Sequence, residues 1–152
     1  MADDVLRILL VEDNPGDVMS LQRSFRRIAP DAEITVARDA EAAVHELAEA
    51  PHGTFGLLLL DINLPRMSGI ELLRRLKSES WLSNTPMLLL TTSEAPFDVK
   101  TGYASGADGY LVKPFDPQGY DRLVRFLINT WNGDILDDAD DYRGIVVAPP
   151  AG

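Results

Sequence analysis

Short apolar stretches alternate with segments of helical periodicity along most of the chain. The clearest stretch is residues 57–60, four consecutive leucines, which is too short to cross a membrane and too apolar for a strand with one face in water. Such a run is typical of a strand in a parallel sheet that is covered by helices on both faces. Similar stretches at 8–11, 34–36, 86–90 and 109–112 predict four more strands.

A helical segment follows each predicted strand. After the first strand, Val18, Leu21, Phe25 and Ile28 recur at the spacing of one buried helix face. Residues that favour helix starts mark the later helices: Asp39, Ser68, Pro96 and Asp116. A strand followed by a helix, repeated five times, predicts an α/β fold with a doubly wound, mostly parallel, five-stranded sheet.

The repeated pattern occupies residues 1–133, which are predicted to form one domain, and an acidic tail follows at 134–152. Five aspartates between residues 134 and 141 predict that this tail is solvated and partly disordered. A Ca²⁺ site is the alternative for the tail. The aspartates lack the glycine and the final glutamate of an EF-hand loop, however.

Charge and composition narrow the classes of partner. The formal net charge of −10 argues against a nucleic-acid-binding surface and against an anionic membrane surface. The chain has no cysteine, so disulfides, thiolate metal sites and cysteine nucleophiles are excluded. Its acidic start is not typical of a signal peptide, so we expect the protein in the cytoplasm.

Polar residues follow four of the five predicted strands: Glu12 and Asp13, Asp61, Thr91 and Lys113. Because parallel strands end at the same edge of a sheet, we expect these side chains to lie together. Neighbouring carboxylates repel one another unless a cation lies between them, and Mg²⁺ prefers oxygen ligands. The set predicts that Asp61 attacks phosphorus, while Mg²⁺ and Lys113 bind the phosphoryl oxygens and Thr91 donates a hydrogen bond.

Each of these residues also has a simpler interpretation. Asp61 could only cap the turn that follows it, and the pair at 12–13 could be a solvated loop. A lysine at a strand end is more often a surface charge, and Thr91 could cap a helix. The joint order of acid pair, aspartate, threonine and lysine, each ending a buried strand, favours the phosphoryl site over coincidence.

Four stretches carry this order: residues 9–14 (LLVEDN), 61–69 (DINLPRMSG), 86–91 (PMLLLT) and 106–115 (GADGYLVKPF). Together they resemble the receiver domain of bacterial two-component response regulators. The likeness extends from about residue 6 to residue 131. The acid-rich start of the first helix, EDNPGD, is most similar to single-domain regulators, including those that pair with phytochrome-type kinases.

The resemblance implies a flavodoxin-like strand order, 2-1-3-4-5. It also implies that Asp61 accepts a phosphoryl group from a sensor histidine kinase. Glu12 and Asp13 would hold Mg²⁺ together with Asp61 and the backbone carbonyl of Asn63. The chain would then be a stand-alone signalling protein and not an enzyme, except that it assists its own phosphorylation and dephosphorylation.

The resemblance assigns further roles near the end of the sheet. Lys113 would bind the phosphoryl group and precede a cis peptide bond to Pro114. Thr91 and Tyr110 would form a switch pair, in which the Thr91 hydroxyl moves toward the phosphoryl group and the Tyr110 ring moves inward. Thr92 stands where many receivers have a small alanine, which narrows access to the phosphoryl site.

Other functions remain as alternatives. A Mg²⁺-dependent phosphohydrolase of the haloacid-dehalogenase type would suit the run Asp61-Ile62-Asn63, but Asn63 replaces the second acid that such enzymes use. A pseudo-receiver that only binds partners is disfavoured because every residue of the phosphoryl site is present. A flavodoxin is disfavoured because no phosphate-binding loop rich in Ser, Thr and Gly follows the first strand.

The last helix suggests a homodimer. One apolar stripe is predicted to pack on the sheet: Tyr120, Leu123, Val124, Leu127 and Trp131. Phe126 lies to one side of that stripe beside Arg122, as an exposed interface anchor would. In the alternative, the tail at 145–147 covers Phe126. The likeness to phytochrome-associated regulators favours the dimer.

Overall fold

The computed structural model describes residues 5–132 and 142–151 of the chain. The strands are β1 Arg7–Val11, β2 Glu33–Ala37, β3 Leu57–Leu60, β4 Met87–Thr91, β5 Gly109–Val112 and β6 Val146–Val147. The helices are α1 Pro15–Ile28, α2 Ala40–Glu49, α3 Gly69–Lys77, α4 Pro96–Ala104 and α5 Pro117–Trp131, and a 3-10 helix spans Ser80–Leu82.

The strands form one sheet in the order β2-β1-β3-β4-β5-β6. The first five strands pair in parallel, which confirms the predicted order 2-1-3-4-5. The structure adds a sixth strand to the five predicted ones, because β6 pairs antiparallel with β5 at the edge of the sheet. All parallel strands therefore end at one edge, where the polar residues of the site follow them.

Apolar side chains of successive strand residues pack on opposite faces of the sheet, as the alternating geometry of strands requires. Leu58, Leu60 and Leu89 lie in one core, together with buried residues of α2, α3 and α4. Leu57, Leu59 and their neighbours lie in a second core under α1 and α5. The run of four leucines is buried because helices cover both faces, as the sequence predicts.

Side-chain caps start the helices where the sequence places them. The carboxylates of Asp39 and Asp116 accept hydrogen bonds from backbone N–H groups three residues on, at 2.7 Å in both cases, at the starts of α2 and α5. Ser68 accepts one from the Glu71 N–H at 3.2 Å at the start of α3. These bonds satisfy N–H groups that have no partner within the helix.

The second half of the tail has regular structure that the prediction of a partly disordered segment did not anticipate. Val146 and Val147 pair with Leu111 and Tyr110 of β5, and Ile145 is buried. The β-branched run at 145–147 suits a strand, and β5 offers it an edge. The prediction of a solvated acidic segment concerns residues 134–141, which lie outside the described residues.

The tail also changes the position of Phe126. Its ring is half-buried and lies edge-on to the Tyr142 ring, with 5.1 Å between the ring centroids. The prediction of an exposed Phe126 was therefore wrong, because Tyr142 packs against it. The alternative, in which residues 145–147 of the tail cover Phe126, is closer to the structure, although Tyr142 makes the contact. Trp131, in the last turn of α5, stays 37 % exposed, whereas the rest of the predicted stripe is buried.

The peptide bond before Pro114 differs from the expectation. No peptide bond in the described part of the chain is cis, so the predicted cis bond between Lys113 and Pro114 was wrong; trans is the more stable isomer for most X–Pro bonds.

Within residues 5–132 and 142–151, no helix has the length and apolar character needed to cross a bilayer.

Candidate phosphoryl site

Backbone hydrogen bonds continue the sheet one residue beyond the strands and so fix the residues of the site. The Asp61 N–H donates to the Val11 carbonyl at 3.0 Å, and the Lys113 N–H donates to the Thr91 carbonyl at 2.8 Å. Because these residues follow β3 and β5 directly, their side chains leave the same edge of the sheet. The sequence prediction of one shared edge is confirmed for them.

Three carboxylates form a group that could hold a metal ion. One oxygen from each of Glu12, Asp13 and Asp61 lies within 4.8 Å of the others. Glu12 and Asp61 are buried, whereas Asp13 is exposed at the mouth of the group. Carboxylate oxygens at this spacing are the donors that a hard divalent cation takes.

Glu12 supplies a direct test of that fit. Its Oε2 accepts a hydrogen bond from the Asn14 N–H at 3.1 Å, but the buried Oε1 has no hydrogen-bond partner. Lys113 Nζ lies 2.6 Å from this Oε1, an ion pair that does not have hydrogen-bond geometry. Lys113 balances the charge of this oxygen, which keeps a lone pair that a divalent cation at the group could take up.

Lys113 is the cation at the centre of the site. Its side chain is 7 % exposed, and Nζ donates hydrogen bonds to Asp61 Oδ2 at 2.9 Å and to Asp17 Oδ2 at 2.8 Å. Burial acts to lower the pKa of Lys113, but close contacts with the carboxylates of Asp17, Glu12 and Asp61 outweigh it and raise the pKa above its ordinary value. The ammonium group is therefore charged at any physiological pH.

Asp17 is a member of the site that the sequence analysis missed. It lies in the first turn of α1, and its Oδ1 accepts a hydrogen bond from the Tyr120 hydroxyl at 3.3 Å. Asp17 follows the acid pair at 12–13 by only one helical turn. That spacing was the only indication in the sequence that Asp17 could belong to the site, and it does not show that the side chain faces Lys113.

Glu12 has an unusual proton affinity. Burial raises the pKa of Glu12 from about 4.5 to about 7, with Asp61 adding to the increase and Lys113 opposing it. Near neutral pH, Glu12 therefore exchanges a proton over the range in which a metal ion would compete for its oxygens.

The loop after Asp61 is built around a close backbone contact. A Cβ atom on Gly69 would lie 1.9 Å from the Asp61 carbonyl oxygen, so only glycine fits where α3 begins. The Asn63 N–H donates to Asp61 Oδ1 at 3.1 Å, and Asn63 is exposed. This bond holds one carboxylate oxygen of Asp61, while Lys113 holds the other.

Thr91 and Tyr110 are both buried and are linked through Ser93. The Ser93 N–H lies 3.4 Å from Thr91 Oγ1, and the Tyr110 hydroxyl donates to the Ser93 carbonyl at 2.7 Å. The Tyr110 ring is already inside the protein in this structure. The predicted site residues thus lie at or near one edge of the sheet, except Phe126, which lies along α5 under Tyr142.

The fold and the strand-end residues together define a known class of protein. The chain belongs to the response regulator receiver domain family, whose model matches residues 8–125.

Individual relatives agree with this assignment. The chain is 34 % identical over 135 residues to the probable methanogenesis regulatory protein FilR2 of Methanothrix harundinacea, covering 87 % of each. It is 40 % identical over 133 residues to the response regulator protein PmrA of Pseudomonas aeruginosa, covering 86 % of this chain and 56 % of PmrA. The chain therefore spans most of FilR2 but little more than half of PmrA.

Solved structures give the same picture. The phosphorylated cyanobacterial phytochrome response regulator RcpA superposes with a TM-score of 0.76 at 27 % identity, over 84 % of this chain and 94 % of RcpA. The Mn²⁺-bound form of response regulator Rcp1 superposes with a TM-score of 0.72 at 29 % identity, over 96 % and 99 %. The similarity to Rcp1 thus includes the C-terminal part of the chain.

Proposed function

We propose that this chain is a stand-alone receiver that accepts a phosphoryl group on Asp61 from a sensor histidine kinase and relays the signal through Thr91 and Tyr110. The observation that carries the proposal is the position of Asp61: it is buried beside Glu12 and Asp13, and Lys113 Nζ lies 2.9 Å from its Oδ2. A carboxylate among other acids and one fixed ammonium group suits phosphoryl transfer better than a structural role.

We propose Mg²⁺ as the ion of the acid group, held by Glu12, Asp13, Asp61 and the backbone carbonyl of Asn63. When bound, it supplies positive charge that offsets the charge on the phosphoryl oxygens. The oxygen of Glu12 that lacks a hydrogen bond supports a cation here. The Mn²⁺-bound form of the similar protein Rcp1 also supports it.

The residues of this chain then have separate tasks. An oxygen of Asp61 attacks the phosphorus of a phosphohistidine; a P–O bond forms, the P–N bond breaks, and its electron pair returns to the ring nitrogen. Lys113 contacts the transferred oxygens with its ammonium group, and Thr91 donates its hydroxyl hydrogen to one of them. The buried position of Asp61 limits access of water to the phosphoryl group.

The signal would leave the site through the Thr91–Ser93–Tyr110 connection. When the Thr91 hydroxyl turns to a phosphoryl oxygen, its weak contact with the Ser93 N–H is exchanged, and the loop before α4 can shift. Tyr110 is bonded to the carbonyl of that same Ser93, so the shift reaches β5. Two packing arrangements of this loop would make the switch.

The proposed partner is a histidine kinase, and the likeness to RcpA and Rcp1 favours a phytochrome-type kinase. Phe115 is fully exposed two residues after Lys113, and Met19 on α1 is half-exposed. Apolar side chains of this size beside an acidic site suit a protein partner that covers the site during transfer.

The test is phosphorylation by acetyl phosphate with Mg²⁺, followed by intact-protein mass spectrometry. We expect one added phosphoryl group on the wild type and none on Asp61→Asn. The matched control is Asp31→Asn, an exposed aspartate before β2, which should be labelled like the wild type. Equal labelling of Asp61→Asn would overturn the proposal, and multiple turnover of a generic phosphate ester would favour the phosphohydrolase.

A further inference from the structure

Asp17 makes contacts that none of the proposed roles requires. Its Oδ2 lies 2.8 Å from Lys113 Nζ, as close as the Asp61 oxygen that Lys113 also binds. The group of carboxylates that could share one metal ion contains Glu12, Asp13 and Asp61 but not Asp17. Asp17 is therefore a counter-ion of the lysine and not a member of the metal group.

The rest of the protein holds Asp17 in place. Its own N–H donates to the capping oxygen of Asn14 at 3.0 Å, which fixes the first turn of α1. Its second carboxylate oxygen accepts the hydroxyl hydrogen of the buried Tyr120 on α5 at 3.3 Å. Asp17 thus connects the ends of α1, β5 and α5 at a single point.

This arrangement fixes the direction of the Lys113 ammonium group. An ammonium group has three N–H donors, and a lysine side chain has four rotatable bonds that must be ordered before it can act at one place. With one donor held by Asp17, a second donor faces Asp61. Glu12 and Asp61 would both turn to a metal ion when one binds, whereas Asp17 would stay with Lys113.

We propose that Asp17 is a positioning residue, which holds the Lys113 ammonium group toward the oxygens transferred to and from Asp61. The inference rests on the proposed function of Asp61. Gain and loss of the phosphoryl group pass through transition states with the same phosphorus and the same three outer oxygens. A residue that positions Lys113 must therefore accelerate both reactions.

A simple charge effect of Asp17 predicts the opposite change in the rate of phosphorylation. If Asp17 acted only by its negative charge, its neutralisation would remove repulsion and speed attack on an anionic donor. Positioning predicts that the same neutralisation slows phosphorylation. The direction of the change therefore distinguishes positioning from repulsion.

The first experiment measures both rate constants for the wild type, Asp17→Asn and Asp17→Glu, using acetyl phosphate with Mg²⁺ and then removal of the donor. We expect Asp17→Asn to slow phosphorylation and dephosphorylation by about tenfold each, and Asp17→Glu to recover part of both rates. The control Asp31→Asn should leave both rates unchanged. Faster phosphorylation of Asp17→Asn, or unchanged rates, would overturn the proposal.

A second experiment asks whether Asp17 acts through Lys113. In a Lys113→Met background, the further change Asp17→Asn should have no additional effect on either rate, because the group it positions is gone. If both effects multiply, Asp17 acts independently and the proposal fails. Tyr120→Phe, which removes only the weaker contact to Asp17, should slow both reactions in the same direction but less.

A third measurement needs neither metal nor phosphoryl group, so it also covers a folded variant that cannot be phosphorylated. In the metal-free wild type, the Lys113 ammonium hydrogens should exchange slowly enough to give a separate NMR signal, and Asp17→Asn should broaden or lose it. Retention of that signal in a folded Asp17→Asn protein would contradict positioning. Failure of the proposed function would give a different result, namely equal labelling of the wild type and Asp61→Asn.

Discussion

Glu12 and Lys113 are an unequal pair at the centre of the site. The two side chains lie 2.6 Å apart and are almost fully buried, yet only Glu12 has a pKa close to physiological pH. Burial dominates for Glu12, whereas three carboxylates outweigh burial for Lys113. The glutamate is therefore the group through which pH acts on the metal-free site.

The metal-free protein should become less stable to unfolding as pH rises toward 7. Glu12 has a raised pKa in the folded protein, so between about pH 4.5 and pH 7 the folded state binds more protons than the unfolded state. The free energy of unfolding should then fall with rising pH, by at most about 1.4 kcal/mol per pH unit from this group. Urea titrations of the wild type and Glu12→Gln, without metal, should show this slope only in the wild type.

The same proton should compete with Mg²⁺. Affinity for the ion, followed by tryptophan or tyrosine fluorescence, should rise with pH and level off above about pH 7, where Glu12 is ionised. Asp13→Ala should weaken binding at every pH. Affinity that is independent of pH, or unaltered in Asp13→Ala, would contradict the ligand set proposed above.

Gly69 should be irreplaceable for a steric reason. A Cβ at this position would overlap the Asp61 carbonyl oxygen, so Gly69→Ala must displace either α3 or the backbone of Asp61. We expect a loss of about 3 kcal/mol in the free energy of unfolding, together with slower phosphorylation. Gly16→Ala in α1 is the control, since its Cβ would lie 3.2 Å from the capping oxygen of Asn14, a contact that a small shift of that side chain relieves. Equal stability of the two variants would contradict this account.

At the scale of single residues, much of the site follows from the sequence. Asp61, Thr91 and Lys113 each end a buried parallel strand, and parallel strands end together. Asp17 could not be found this way, because it lies on a helix, and its direction depends on how α1 packs against α5 and β5. The trans bond before Pro114 was not predicted for a related reason. The expected cis bond came from the resemblance alone, and no local sequence pattern distinguishes the two isomers.

At the scale of elements, α5 has two neighbours with different chemistry. On one side, Asp121 binds Arg27 at 2.6 Å and Ser24 at 2.7 Å, both on α1; hydrogen bonds from Arg27 hold the pKa of this carboxyl below its usual range. On the other side, Phe126 meets Tyr142 of the tail. The tail therefore occupies part of the helix surface that was predicted to form a homodimer.

The dimer prediction can be tested with that contact in mind. If α5 pairs two copies, light scattering should report a dimer that survives removal of the tail after residue 133 and dissociates in Phe126→Asp. Tyr142→Ala is the matched variant, because it uncovers Phe126 without charging it, and it should strengthen the dimer. A wild type that stays monomeric at high concentration, with or without phosphorylation, would remove the dimer hypothesis.

β6 shows what periodicity alone does not reveal about elements. The run at 145–147 is short, follows an acidic segment, and lacks the alternating pattern of a strand with one buried face. Its strand form depends on the free edge of β5 and on the Arg122 side chain, which donates to the Arg143 carbonyl at 3.1 Å. Such long-range partners cannot be read from the segment itself.

At the scale of the whole molecule, the sheet separates two cores that share the strand ends. Thr91 ends β4, and Tyr110 belongs to the core beneath α2, α3 and α4. The Tyr103 hydroxyl on α4 also donates to the Val147 carbonyl of β6 at 2.5 Å. A shift that begins at Thr91 could therefore reach α4, β5 and the tail together.

This path gives a prediction for Thr91→Ala. The variant should still be phosphorylated on Asp61, because the Asp61 carboxylate and Lys113 remain, but the conformational response should be lost. Hydrogen exchange should change across residues 96–112 on phosphorylation of the wild type and of the control Thr85→Ala, and should stay unchanged in Thr91→Ala. A normal response in Thr91→Ala would disprove coupling through its hydroxyl.

The short strand β6 also affects how molecules meet in a concentrated solution. Inner strands have partners on both sides, so only the outer strands present free N–H and C=O groups to other chains. β6 ends after Val146 and Val147, and Pro149 and Pro150 follow two residues later. Proline has no N–H to offer a new strand, so this edge is a poor template for adding another molecule. The same few residues that complete the sheet thereby protect this edge of it against growth into fibres.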